Sequence, residues 1–120
     1  MNHSTGKPTK AQAARMDAIV EFGCIACYLD ATRAGRLAVS VPCEVHHMLS
    51  GNKRIGHDAT VGLCKPHHVG ISTSPVIRTR QGRLNTWGPS WHKERRAFRE
   101  RYGSDAELVT FQTEIMGVLC

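Results

Sequence analysis

Gly23-Cys24-Ile25-Ala26-Cys27 and Leu63-Cys64-Lys65-Pro66-His67-His68 are the two stretches whose reading decides the fold. Cys24 and Cys27 form a C-x2-C knuckle, and Cys64 with His67 forms a C-x2-H pair some 36 residues later. Each turn offers two side chains to one point, and four soft or borderline donors from two turns are what a tetrahedral structural zinc takes. The chain has five cysteines, an odd number, and no hydrophobic leader precedes them. A disulfide framework is therefore not expected, and metal binding is their leading use. The plain alternative is that buried thiols only fill a core. The interval is long for a zinc finger, so the chain between the two pairs has to be a structural unit of its own.

Outward from the knuckles, Met1 to Pro8 reads as a flexible polar tail and residues 9–120 as a single domain. Thr9 to Phe22 reads as an amphipathic helix capped by Thr9, with Ala11, Ala14, Ile19 and Phe22 facing inward and Gly23 ending it. Val39, Val41 and Val45 within Leu37 to Met48 predict a short hairpin or paired strands with the bend at Pro42. Ser50 to Asp58 has no periodicity and reads as an excursion loop returning to a strand at Thr60 to Leu63. Cys64 to His68 is the first turn of a short helix, with Pro66 tolerated there because first-turn amides have no intrahelical partner. Ile71 to Gly88 reads as a loop or weak hairpin, and a helix is expected from Pro89 or Ser90 through Tyr102, stopped by Gly103. Ser104 to Glu107 is a capping-box pattern opening a last helix with Leu108, Phe111, Ile115 and Met116 at helical spacing.

One modest core is the ceiling for 120 residues. Hydrophobic residues at 41% and charged residues at 22% exclude a wholly disordered or collagen-like chain. No apolar run approaches the roughly 18 residues a membrane span needs. No membrane association and a cytoplasmic location are the expectation. The formal charge of +6 favours a polyanionic partner, foremost nucleic acid. Its distribution sharpens that: Arg78, Arg80, Arg83, Lys93, Arg95, Arg96, Arg99 and Arg101 are opposed within their segment only by Glu94 and Glu100. A solvated helix face with no partner is the bland reading of the same run. Trp87 and Trp91 each offer a ring to stack on unpaired bases, although core packing is expected for Trp91 at its helix start.

Further histidines surround the knuckles: His46, His47, His57, His68 and His92. If His67 serves a structural zinc, His68 points about 100° away around its helix and is available to a second site. Adjacent strand residues face opposite sides, so His46 and His47 can share a site only where the strand ends or bulges. Exposed loop or packing roles are the alternative for each of them.

The order C-x2-C, V-H-H-M, excursion loop, L-C-x2-H-H resembles an HNH-type ββα-metal endonuclease pinned by a structural zinc. More narrowly, GCIAC at Gly23 to Cys27, VHHM at Val45 to Met48, LCKPHH at Leu63 to His68, WHKERRAF at Trp91 to Phe98 and RYG at Arg101 to Gly103 resemble the bacteriophage recombination-enhancement (Ref) family of RecA-dependent nucleases. The resemblance implies a small α+β zinc-stabilised HNH-like domain with flanking helices. It also implies cleavage of DNA bound by a RecA filament, in the host cytoplasm of a phage-encoded protein.

The resemblance further implies that a second divalent ion, magnesium or manganese, or zinc as the ion observed, clamps the scissile phosphate and leaving oxygen while His47 takes a proton from the attacking water. An imidazole near its ordinary pKa of about 6.5 suits that role. By position, His46 and His68 are ligands of the catalytic ion, and His92 is the candidate third ligand. The pattern's middle Asn is missing, and His57, Asp58 and Thr60 stand in that stretch; Asp58 is the candidate to accept the ring N–H of His47 or to support the metal. His46 also stands where many HNH enzymes carry Asp, which makes the site richer in nitrogen. Lys93 or Arg96 would stabilise the pentavalent transition state. Arg78, Arg80, Arg83, Arg95, Arg96 and Arg99 would neutralise phosphates. Cys43 and Cys120 receive no role. Two rival readings stand beside the enzyme: a non-catalytic zinc-binding DNA-interaction module, and a zinc-bound regulatory protein that binds another protein.

Overall fold

Thr9 opens the first helix with a reciprocal cap, its hydroxyl accepting from Gln12 N at 3.1 Å while its own N–H donates to Gln12 Oε1 at 2.9 Å. In the computed structural model, which describes residues 6–50 and 53–119, this helix, α1, runs Lys10–Phe22 and is followed by α2, Ile25–Arg33. Then come strands β1, Glu44–His47, β2, Leu49–Ser50, β3, Lys53–Arg54, and β4, Thr60–Leu63. The helices α3, Lys65–His68, α4, Arg80–Trp87, α5, Arg95–Tyr102, and α6, Asp105–Leu119, complete a small α+β architecture. Residues 1–5 of the expected tail, Gly51 and Asn52 in the excursion loop, and Cys120 lie outside the described residues.

β1 and β4 pair antiparallel with Glu44 opposite Leu63 and His47 opposite Thr60, and β2 pairs with β3 inside the excursion between them. β4 is buried at every position because elements cover both of its faces, so it shows no polar alternation. Its free edge is closed by side chains: Gly62 N donates to Gln112 Oε1 at 3.0 Å, and Arg15 reaches from α1 to the Thr60 carbonyl at 2.7 Å and to Thr113 Oγ1 on α6 at 2.7 Å. The core gathers Ile25, Leu29, Met48, Val61, Leu63, Trp91, Phe98, Tyr102 and Leu108 from both sides of this ribbon.

Four expectations are corrected. Ala11 and Ala14 are exposed, because the inward stripe of α1 runs through Gln12, Arg15, Met16 and Ile19, the face on which Arg15 grips Thr60. No hairpin bends at Pro42; only Glu44–His47 is a strand and its partner is β4, since Val41 O is taken by Cys24 N at 2.9 Å. Ile71 to Gly88 is not all loop: Thr79 caps α4 by accepting from Gly82 N, and buried Arg83 ties that helix to Glu94 at 2.8 Å. The helix expected from Pro89 or Ser90 starts at Arg95, because Trp91 N and His92 N donate instead to the His67 and His68 carbonyls, at 2.7 and 3.0 Å. α2 had no counterpart in the sequence reading, although Ile25 and Leu29 at helical spacing are its signal.

Gly62 is where this packing has least slack, because a Cβ there would come within 2.8 Å of the Gly23 carbonyl, Ile19 Cγ2 and Cys43 Sγ. Two of those neighbours belong to α1 and the first knuckle, which cannot move apart from each other. Gly62→Ala is therefore expected to destabilise the chain by about 1–3 kcal/mol, read as a lower urea midpoint at unchanged slope.

Candidate metal centre and histidine site

Both knuckles are helix N-termini. Cys24 is the N-cap of α2, its sulfur accepting from Cys27 N at 3.4 Å, and Cys64 is the N-cap of α3. Each helix thus offers its N-cap side chain and the one three positions on, and the positive ends of two short helices face the same point, a setting that favours thiolates. Cys24, Cys27, Cys64 and His67 form the one group among the described residues with three or more ligand atoms able to hold a metal, all within 4.8 Å of one another. His67 Nδ1 lies 3.5 Å from Cys24 Sγ, 3.5 Å from Cys27 Sγ and 3.2 Å from Cys64 Sγ, and Cys27 Sγ is 3.8 Å from Cys64 Sγ. A tetrahedron of zinc-length bonds has S···S edges of about 3.8 Å and S···N edges of about 3.6 Å. The cluster has those dimensions.

The protonation chemistry agrees. The Trp87 carbonyl accepts from His67 Nε2 at 2.7 Å, which places the hydrogen there and leaves the Nδ1 lone pair facing three sulfurs. Tyr102 Oη sits 3.0 Å from the same Nε2 and donates to Asp30 Oδ2 at 2.8 Å, with Arg101 on the other carboxylate oxygen at 3.0 Å. Burial pushes the Tyr102 hydroxyl up, so it stays a donor. Hydrogen bonds from Cys24 and Cys27 pull the Cys64 thiol well below its ordinary value, while Cys24 and Cys64 push Cys27 up. Three thiols this close ionise together only around a cation.

The second cluster is built by β1 and α3. His46 Nδ1 faces His68 Nε2 at 3.0 Å, and His68 Nδ1 donates to Glu44 Oε1 at 3.0 Å. Glu44 and His46 are two apart on the strand and share the face toward α3, which is why Glu44 reaches the far side of His68. His46 is buried under Trp91, ring centroids 4.2 Å apart, and that burial, then His68, pushes its pKa down to about 3. It is a neutral donor at any working pH. His46 Nε2 has no hydrogen-bond partner. His47 points to the other face, where its Nε2 lies 3.0 Å from His57 Nδ1; burial, Arg54 and His57 lower its pKa.

The His92 backbone is fixed beside His68, but its side chain is exposed and does not join the pair. Asp58 accepts from Gln12 Nε2 at 3.0 Å, so the group on the His47 ring is His57 and not the expected Asp58. The spacing of His57 from His47 carries no strand or helix periodicity that would have revealed it. Lys93 Nζ donates to the Gly70 carbonyl at 3.3 Å. Arg83, 4% exposed, is committed to Glu94 and pulls that carboxyl down to about 2. Arg95 lies over the Trp91 ring at 3.9 Å, and Arg99 pairs with Asp105 at 3.2 Å. Arg78, Arg80 and Arg96 are exposed, Arg80 beside Glu94 and Arg96 beside Glu100. Trp91 is buried, and Trp87 is half-buried.

No helix of the described residues is long and apolar enough to cross a membrane. A family model described as "Recombination enhancement, RecA-dependent nuclease" matches residues 8–117. No curated protein matches the chain.

The cluster predicts one tightly held zinc per chain. Cys27→Ser is expected to lose it together with several kcal/mol of folding stability, because a site assembled only in the folded state converts metal affinity into stability. Tyr102→Phe, which keeps the ring and removes the hydroxyl between His67 and Asp30, is expected to weaken zinc affinity about tenfold. Metal analysis and competition with a chromogenic chelator check both.

Proposed function

Because the chain belongs to the recombination-enhancement, RecA-dependent nuclease family, we propose that it is a DNA endonuclease of the HNH type acting on DNA held in a RecA filament, in the bacterial cytoplasm. The observation that carries this reading is the meeting of His46 and His68 at 3.0 Å between β1 and α3, next to a cluster with the dimensions of a structural zinc site. The run strand, excursion, strand, helix formed by β1, β4 and α3 supports it as well.

His46 and His68 are a partial donor set for a catalytic cation. Two neutral imidazole nitrogens face each other at hydrogen-bonding distance, and no third ligand among the described residues joins them. Such a pair leaves positions open to water and phosphate oxygens and suits manganese or zinc more than magnesium, which prefers oxygen. When bound, the cation supplies charge stabilisation at the scissile phosphate.

The chain's own residues do the rest. Glu44 holds the hydrogen of His68 on Nδ1, so that Nε2 keeps its lone pair toward His46. His47 lies on the opposite face of β1 from His46 and is the base that the family resemblance assigns; with its pKa below the ordinary value it is unprotonated near neutral pH and would take the proton of the attacking water. The water oxygen bonds to phosphorus as the bond to the 3′ oxygen breaks. Arg78, Arg80 and Arg96, with Lys93, are the cations at the surface that would follow the phosphate backbone. Arg83, enclosed with Glu94, serves the fold.

Cleavage of single-stranded and supercoiled DNA with manganese or magnesium, with and without a RecA filament, tests the reading. Wild type is expected to cut only with the filament, and His47→Ala of matched zinc content to lose about 100-fold or more of the rate. Cleavage without the filament removes the RecA-bound substrate and keeps the HNH chemistry; DNA binding with no cleavage under any condition leaves the non-catalytic zinc module. For the surface cations, Arg78→Ala and Arg96→Ala are each expected to reduce the salt slope of DNA binding by about 1. Arg83→Ala is expected to lower thermal stability instead.

A further inference from the structure

The chain ahead of α1 reaches the histidine site. The Gly6 carbonyl lies 2.8 Å from His57 Nε2, His57 Nδ1 lies 3.0 Å from His47 Nε2, and His57 is buried, its own carbonyl fixed by Thr60 Oγ1 at 2.8 Å. These contacts form a directed series. A carbonyl has no hydrogen to give, so His57 Nε2 carries the hydrogen. Neutral His57 then has its lone pair on Nδ1, the facing Nε2 of His47 must donate, and the lone pair of His47 is left on Nδ1.

We propose that Gly6 and His57 are positioning residues that fix the tautomer and ring orientation of His47, so that docking of the N-terminal segment decides which nitrogen of the general base can accept a proton. The proposal rests on the endonuclease reading for its effect on rate, but not for the tautomer. In the reaction, Nδ1 of His47 takes the proton of water while Nε2–H remains on His57, so charge develops on a ring that is already held at one edge. An imidazole free to exchange tautomers or to turn would present the wrong nitrogen for part of the time. A wrong tautomer at a general base has costs that reach about 10⁴-fold where the orienting group is exchanged for one that holds the other tautomer in place.

Gly6 makes the test clean. Its φ is +73°, a conformation that a β-branched residue rarely adopts, and among the described residues a Cβ there would meet nothing within 4 Å. Gly6→Val therefore turns the carbonyl away by backbone strain, while Gly6→Asn, a residue that tolerates this conformation, keeps it. At His57, Asn supplies an amide oxygen to accept from His47, and Ala supplies nothing.

The experiment measures imidazole 15N shifts of His47 in the full zinc-loaded chain, assigned with His47→Gln, together with kcat and KM for DNA cleavage. Wild type, Gly6→Asn and His57→Asn are expected to show hydrogen on His47 Nε2 and comparable kcat. Gly6→Val and His57→Ala are expected to show mixed tautomers, with kcat reduced about tenfold or more and KM within about twofold, as loss of part of a general-base contribution requires. Hydrogen on Nδ1 in wild type, an unchanged His47 spectrum in Gly6→Val and His57→Ala, or mixed tautomers at unchanged kcat would each overturn the proposal. Should wild type cleave nothing, the endonuclease reading fails, and the 15N pattern across these variants still decides whether the relay exists.

Discussion

Three thiols and one imidazole nitrogen within 4.8 Å of each other are the constraint on which the rest of the structure depends. Left without a cation, they are a repulsive set, because close thiols cannot ionise together and burial opposes each charge. With a tetrahedral cation they join two segments far apart in the sequence and set the relation of α2 to α3. Each segment contributes a helix N-cap and the side chain one turn on, so helix geometry alone presents the ligands in pairs. A chain of this size has a modest core. Placing this junction beside Leu63 and Tyr102 joins the ligands directly to the packing.

The histidine site follows from that junction. His67 turns toward the sulfurs and its Nε2 is held by Trp87, so the helix turn has one orientation, and His68 then has to face β1. β1 carries His46 to the same face and His47 to the other, which divides the adjacent pair between a contact with His68 and a contact with His57. Trp91 and His92 hang their backbone amides on the carbonyls of His67 and His68, closing the buried side of His46 with the Trp91 ring. The four-ligand cluster, the His46–His68 pair and the His47–His57 pair are thus spaced by two strands and a single helical turn.

Charge in the segment from Arg78 to Arg101 does not all reach the surface. Arg83 and Glu94 form an enclosed pair that joins α4 to α5, with Ser90 also donating to Glu94. Arg101 and Asp30 brace the tyrosine behind His67, and Arg95 covers Trp91. Arg78, Arg80, Lys93, Arg96, Arg99 and Arg101 remain exposed, Arg99 and Arg101 while paired with Asp105 and Asp30.

What the sequence determined by itself is the local chemistry. Ligand spacing at Cys24, Cys27, Cys64 and His67 follows from helical turns, the Thr9 cap from a hydroxyl and an amide three residues apart, and the strand Thr60 to Leu63 from its run of residues after an aperiodic loop. These are short-range relations that one chain segment carries whole. Tertiary structure alone decided which partners distant segments find. α4 forms despite Gly82 because Arg83 meets Glu94, and α5 starts late because Trp91 and His92 give their amides to α3. Asp58 goes to Gln12, which leaves His57 to meet His47. The physical reason is common to all of them: a side chain's charge and hydrogen-bonding capacity can be read from its identity, but which distant group satisfies them depends on how the elements pack.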